Sequence, residues 1–167
     1  MWGNFNIVET VYIETTIPSL YFDERTDAKT VARREWTRNW WDNHRQKYRL
    51  VTGAPAIEEL SRGNHSRKAE KLRLMEDVEV LPITETAVRA VEVYVERYVM
   101  PRDPAGDAAH LALASAHKCD YLLTWNCAHL ANANKVGHIR TVNTLLGLHV
   151  PQLVTPLELA GEENDAT

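Results

Sequence analysis

Four polar residues stand where a folded chain can do chemistry. Glu14 directly follows the apolar run Val11-Tyr12-Ile13, and Asn126 follows Leu122-Leu123-Thr124-Trp125. Asp107 opens an otherwise apolar stretch after Pro104-Ala105-Gly106, and Glu59 comes late in Ala56-Ile57-Glu58-Glu59-Leu60. Carboxylates brought together repel one another, and either a proton or a hard cation relieves them. A divalent ion held by such oxygens would orient a phosphodiester and lower the pKa of a nearby water. Each residue taken singly also has a structural explanation. Asp107 suits the positive end of a helix dipole, at what reads as an exposed helix start, and Glu59 reads as a surface glutamate.

The elements that must position these residues alternate between strand and helix. Residues 10–13 form a β-branched, aromatic strand that stops at Thr15-Thr16-Ile17-Pro18, where a hydroxyl cap and an early proline predict a helix start. A long helix is expected over 29–47, and a second strand over 48–52 that Gly53 breaks. A helix over 54–60 ends near Gly63, and a charged helix follows over 65–76. A short strand over 78–81 precedes an amphipathic helix over 84–98, with Pro101 and Pro104 marking a loop. Residues 107–118 are apolar nearly all round, which places that helix against the centre. A buried strand over 121–124, a helix over 135–148 and a last strand over 153–155 complete the series. This alternation predicts an α/β fold with a mainly parallel sheet covered on both faces. In such sheets the ligand crevice lies beyond the carboxyl ends of the strands, where Glu14 and Asn126 would both emerge. Residues 1–160 read as one domain, and 161–167 as an acidic, frayed tail.

Composition narrows the classes. The 167 residues are 44% hydrophobic and 25% charged, an ordinary globular balance. No apolar run approaches the roughly 18 residues of a membrane helix. Met1-Trp2-Gly3-Asn4 opens no secretory signal, and Cys119 with Cys127 gives no disulfide framework, so a cytoplasmic location is expected. The net charge of −4 conceals a segregation: residues 25–73 carry 13 bases and 6 acids, net +7, and the rest 6 bases and 17 acids, net −11. That division either offers a polyanion a basic approach beside an acidic pocket or reflects solvated helix faces. Seven glycines without G-x-G-x-x-G or G-x-x-x-x-G-K argue against a dinucleotide enzyme or a P-loop NTPase.

Val11-Tyr12-Ile13-Glu14-Thr15-Thr16, Glu59-Leu60-Ser61-Arg62-Gly63, Asp107-Ala108-Ala109-His110-Leu111-Ala112-Leu113-Ala114 and Leu122-Leu123-Thr124-Trp125-Asn126 together resemble the four signature segments of the PIN domain, in order. They are most similar to VapC-type toxins of bacterial toxin–antitoxin pairs. The resemblance implies a PIN-like three-layer fold, with a five-stranded, mainly parallel sheet between helices. It also implies a pocket binding Mg²⁺ or Mn²⁺, and endoribonuclease activity. Carried over by position, Glu14, Glu59, Asp107 and Asn126 would be the catalytic residues, with Glu14, Asp107 and Glu59 holding the metal. Thr15 would steady the first acid, with Thr124 and His110 in support. An RNA substrate, a cognate antitoxin and a homodimer are the partners it implies. Two positions depart from the family: a glutamate, Glu14, stands where an aspartate is usual, and neutral Asn126 where an acid is frequent. The alternative is a PIN-fold module, weakly active or inactive, that binds RNA or protein.

Other residues carry weaker signals. Arg33, Arg34, Arg38, Arg62, Arg67, Lys68, Lys71 and Arg73 are candidates for phosphate contacts. His110, three residues after Asp107, shares its helical face and either serves the site or is a hydrogen-bonded core histidine. Cys119, Cys127 and His129 with His110 or His117 lack paired zinc-ligand spacing. Trp36, Trp40 and Trp41 suit core packing or a protein-binding face.

Overall fold

A computed structural model describes residues 7–97, 99–100 and 106–161. The loop marked by Pro101 and Pro104, the first residues Met1–Asn4 and all of the tail after Gly161 lie outside this range.

Strand β1 (Thr10–Ile13) is followed by helices α1 (Thr16–Tyr21) and α2 (Ala28–Asn43), then by β2 (Arg49–Gly53). Helices α3 (Ala54–Ser61) and α4 (Lys68–Leu74) lead to β3 (Glu79–Leu81) and α5 (Glu85–Glu96). Helix α6 (Gly106–Ala116) feeds β4 (Tyr121–Leu123), and α7 (Ala133–Leu146), β5 (Gln152–Val154) and α8 (Pro156–Ala160) close the chain. All four strand pairings are parallel, in the order β3-β2-β1-β4-β5. Parallel pairing needs crossover connections, and the helices between strands supply them. They cover both faces, so the central strands read as continuous apolar runs.

The alternation of side chains along β1 divides the core in two. Tyr12 packs with Leu122 against α5, α6 and α7, in the company of Tyr94, Leu111 and Ile139. Val11 and Ile13 pack with Leu123 on the opposite face, against Ile17, Trp40, Trp41 and Leu60. Helix α6 is buried along most of its length, as its composition predicts. The three-layer, mainly parallel expectation therefore holds, and every pairing is parallel.

Local boundaries differ in instructive ways. Helix α2 stops at Asn43, and a 3₁₀ turn, Arg45–Lys47, replaces the expected last turn. Gly53 continues β2 instead of breaking it, with an extended backbone, and glycine is needed there because a Cβ would strike the Leu113 side chain and meet the Tyr12 hydroxyl at 2.8 Å. Helix α4 begins only at Lys68, since Arg67 adopts φ +60°, a left-handed conformation that interrupts a helix. Thr15 does not cap α1 with its side chain; the Glu14 carboxylate accepts the Thr16 N–H in its place. Trp40 and Trp41 are fully buried, which removes them from any protein-binding face. Only Trp36 of that trio is exposed, and it stacks on Trp125 with centroids 6.0 Å apart. No helix among the described residues is long and apolar enough to cross a membrane.

Candidate active site

The chain leaves β1 toward β2 on one side and returns from β3 to β4 on the other. The sheet therefore reverses its order between β1 and β4. Loops diverge at such a switch point and leave a crevice at the strands' carboxyl ends. Glu14 and Asn126 stand there, one past β1 and the other past β4.

Glu14 is 3% exposed and held by three donors on one oxygen. The Thr16 N–H and hydroxyl reach Oε2 at 3.1 and 2.5 Å, and the Thr124 hydroxyl reaches it at 2.7 Å. Both hydroxyls are themselves fixed, since Thr16 Oγ1 accepts the Trp125 N–H at 2.8 Å and Thr124 Oγ1 the Asn126 N–H at 2.9 Å. With Oε2 committed, Oε1 is the oxygen left for a ligand. Thr16 therefore does what the resemblance implied for Thr15. Thr15 instead places its hydroxyl 3.4 Å from His110 Nε2.

Helix α3 carries Glu59 to the same place, and α6 carries Asp107 and His110. Gly106, in the first turn of α6, makes room for Glu59: a Cβ there would collide with Glu59 Oε1. Glu59 Oε1 lies 3.1 Å from His110 Nε2, and the Tyr12 hydroxyl 2.8 Å from His110 Nδ1. Ligand atoms of Glu14, Glu59 and His110 all fall within 4.8 Å of one another. Asp107 is not one of those three. It is 8% exposed, so the helix start that reads as exposed is buried, and its Oδ1 accepts the Asn126 amide Nδ2–H at 3.0 Å. The other end of that amide, Oδ1, accepts the His129 N–H at 3.0 Å.

The electrostatics follow from this crowding. Burial pushes the Glu59 carboxyl up, but the His110 hydrogen bond and charge outweigh it and hold Glu59 below its ordinary value. Burial pulls the His110 imidazole down, yet the Glu59 hydrogen bond and the Glu14, Glu59 and Asp107 charges hold it above its ordinary value. Burial, then the Glu14 charge, lifts the Tyr12 phenol well above its usual range, so its hydroxyl keeps its proton. Three formal carboxylates around one imidazole leave the cluster negative even when that ring is protonated. This charge excess suits a cation.

Basic side chains divide into two groups. Arg34 and Arg38 donate to the backbone carbonyls of Asp23 and Tyr21, Arg67 pairs with Glu70, and Lys68 donates to Gly63 O. These four tie down neighbouring chain. Arg33 lies over the Trp125 ring at 5.1 Å, and the Arg62 charge acts on Glu59. Those two adjoin the cluster. Cys119 is buried, Cys127 is exposed, and neither joins the ligand group.

Residue types alone did not single out Thr16, Tyr12 or Gly106. Thr16 and Tyr12 flank Glu14 within the segment Val11–Thr16, so proximity is the available signal. Gly106 offered only its position before Asp107.

No protein-family model and no curated protein sequence matches the chain. Solved structures do. A chain of VapBC2 from Rickettsia felis, bound to a DNA fragment from their promoter, superposes with TM-score 0.50 at 12% identity, covering 87% of this chain and 98% of that one. FitAcB from Neisseria gonorrhoeae gives 0.51 at 15% identity, covering 87% and 97%. VapBC-1 from nontypeable Haemophilus influenzae gives 0.50 at 17%, covering 88% and 98%. At such identities the likeness is one of fold. A five-stranded parallel sheet ordered β3-β2-β1-β4-β5 between helices, shared over this length with VapBC and FitAcB, is a PIN-domain fold of the VapC type.

Proposed function

We propose that this chain is a metal-dependent endoribonuclease that hydrolyses RNA phosphodiester bonds, the toxin of a toxin–antitoxin pair. The observation that carries the reading is the arrival of Glu14, Glu59 and Asp107, from three separate segments, at the switch point of a VapC-type fold. Their fit to a divalent cation rests on the donor set, with a pinned Glu14 offering its second oxygen and a half-buried Glu59 facing it. When bound, Mg²⁺ or Mn²⁺ would neutralise the cluster, polarise a phosphodiester and lower the pKa of a water beside it.

The protein's own groups do the rest. Glu14, Asp107 and Glu59 would hold the cation. Glu59 is the most open of the three, with 31% of its side chain exposed, and it orients the attacking water. Asn126 keeps Asp107 aimed inward. Arg33 and Arg62 contact backbone phosphates at the rim, where each contact adds salt-sensitive affinity. In-line attack forms a bond from the water oxygen to phosphorus and breaks the bond to the 3′ oxygen. The proton that the attacking water gives up ends on that oxygen, giving a 5′-phosphate and a 3′-hydroxyl. A cognate antitoxin and a second copy of the chain are the protein partners on this reading.

The other reading is a PIN-fold binding module. It is favoured by Asn126, which leaves three formal carboxylates and weak support for a second cation. The discriminating experiment incubates purified protein with total RNA in Mg²⁺, Mn²⁺ or EDTA, beside Asp107→Asn. Metal-dependent cleavage that the substitution abolishes supports the nuclease. Intact RNA under every metal, from folded protein free of antitoxin, sinks it in favour of the binding module.

A further inference from the structure

His110 is the one member of the cluster to which the proposed chemistry gives no task. It is 1% exposed and its ring is fixed at both nitrogens. Nδ1 meets the Tyr12 hydroxyl at 2.8 Å, and the two rings stand edge to face with centroids 5.6 Å apart. Nε2 faces Glu59 Oε1 at 3.1 Å, and a ring nitrogen of His110 lies within 4.8 Å of a Glu14 oxygen. The same Nε2 has the Thr15 hydroxyl at 3.4 Å, so a buried ring nitrogen is shared between a hydroxyl and a carboxylate oxygen of the cluster.

Metal-bound imidazoles use one nitrogen for the ion and the other for a hydrogen-bonding partner that fixes the ring. Tyr12 is such a partner. Its hydroxyl can accept from Nδ1–H as readily as it donates to Nδ1, so the ring can offer the Nε2 lone pair without orphaning Nδ1. Distances agree as well. Two ligands on adjacent corners of an octahedron with bonds of about 2.1 Å stand about 3 Å apart. The separation between Nε2 and Glu59 Oε1 is 3.1 Å, so a cation can replace the bridging proton with little movement of either residue.

We propose that His110 Nε2 is a further metal ligand, beside the carboxylates of Glu14, Glu59 and Asp107, and that it makes the site prefer first-row transition cations to Mg²⁺. The proposal rests on the metal-dependent reading above and deepens it. Mg²⁺ is a hard ion that takes oxygen ligands and keeps its waters, whereas imidazole nitrogen suits transition metals. Carboxylates alone would discriminate weakly between Mg²⁺ and Mn²⁺. One buried nitrogen among them tilts the balance.

Mn²⁺ is the probe. EDTA-stripped full-length protein is titrated with Mn²⁺ and with Mg²⁺ by calorimetry, and the Mn²⁺ complex is read by pulsed electron paramagnetic resonance for directly bonded nitrogen. The expected result is Mn²⁺ binding tighter than Mg²⁺ by about tenfold or more, with a nitrogen coupling. His110→Gln should erase the coupling and bring the two affinities together, and Glu14→Gln should weaken the binding of both ions. The spectrum of the wild-type protein does not depend on how either variant folds. Bound Mn²⁺ without nitrogen coupling overturns the proposal and leaves a carboxylate-only nuclease standing. Absence of Mn²⁺ binding to folded wild-type protein overturns it together with the metal-dependent reading.

Discussion

Asn126 and Asp107 are joined by a hydrogen bond of 3.0 Å in which the amide Nδ2 donates to the carboxylate Oδ1. The opposite end of the amide accepts the His129 N–H at 3.0 Å. An amide can serve both roles and a carboxylate cannot. Asp in this position would keep the acceptor for His129 but set a second negative charge against Asp107.

Asn126→Asp should therefore be destabilised in EDTA by about 1–2 kcal/mol, from the lost donor and the added repulsion. Added Mn²⁺ should restore more of its melting temperature than it adds to the wild-type protein, because a cation relieves the new charge by mass action. Thermal melts in EDTA and in Mn²⁺ decide this. Equal melting temperatures in EDTA would mean that the Asn126–Asp107 bond holds nothing in place.

Gly106→Ala separates the site from the fold. The new methyl would overlap Glu59 Oε1, the free end of a flexible side chain, so Glu59 must swing away from His110. Alanine is otherwise welcome in a helix. Global stability should change by less than about 1 kcal/mol, while RNA cleavage and Mn²⁺ affinity both fall. Urea titration beside calorimetry checks the pair of outcomes, and a variant with unaltered Mn²⁺ affinity would show that Glu59 is not a ligand.

Much of the fold was legible because hydrophobic runs and breakers dominate it. Strands β1, β3 and β4 fall within a residue of where β-branched and apolar runs put them, and buried α6 lies where the sequence is apolar all round. Legibility ended where one side chain answers to another across the fold. Thr15 looked like the steadying hydroxyl from its place beside Glu14. Thr16 takes that role because the turn into α1 brings its hydroxyl between Glu14 and the Trp125 N–H. His110 was ambiguous in sequence, since its helical face is shared with Asp107. Its partners, Glu59 and Tyr12, come from α3 and β1, and no local spacing announces them. Arg34 and Arg38 read as free basic charge in sequence, yet they are tied to the carbonyls of Asp23 and Tyr21.

The two adjacent threonines give a paired test. Thr16→Val removes a hydroxyl that donates to Glu14 Oε2 and accepts the Trp125 N–H, leaving that N–H without its partner. Unfolding free energy should fall by about 1–3 kcal/mol, the usual cost of a buried group left unpaired. Thr15→Val removes a long 3.4 Å contact to His110 and a minor hydroxyl influence on Glu59, and should cost less than about 1 kcal/mol. Chemical denaturation of both variants provides the comparison. A larger loss for Thr15→Val would reverse the assignment of the clamp.

The cysteines report on the rim of the site. Cys119 is fully buried, and burial pushes its thiol up to about 12, so it should resist alkylation in the folded protein. Cys127 is exposed, follows Asn126 directly and has its sulfur 4.0 Å from the Arg33 guanidinium. One equivalent of iodoacetamide should enter native protein, at Cys127, and two should enter in denaturant. If Arg33 contacts RNA phosphates, a single-stranded RNA held by the cleavage-deficient Asp107→Asn variant should slow labelling of Cys127 several-fold, and Arg33→Gln should relieve that shielding. The protection should fade as salt rises, because phosphate contacts release counterions. Labelling at an unchanged rate under saturating RNA would move the RNA path away from the Arg33–Trp125 side of the crevice.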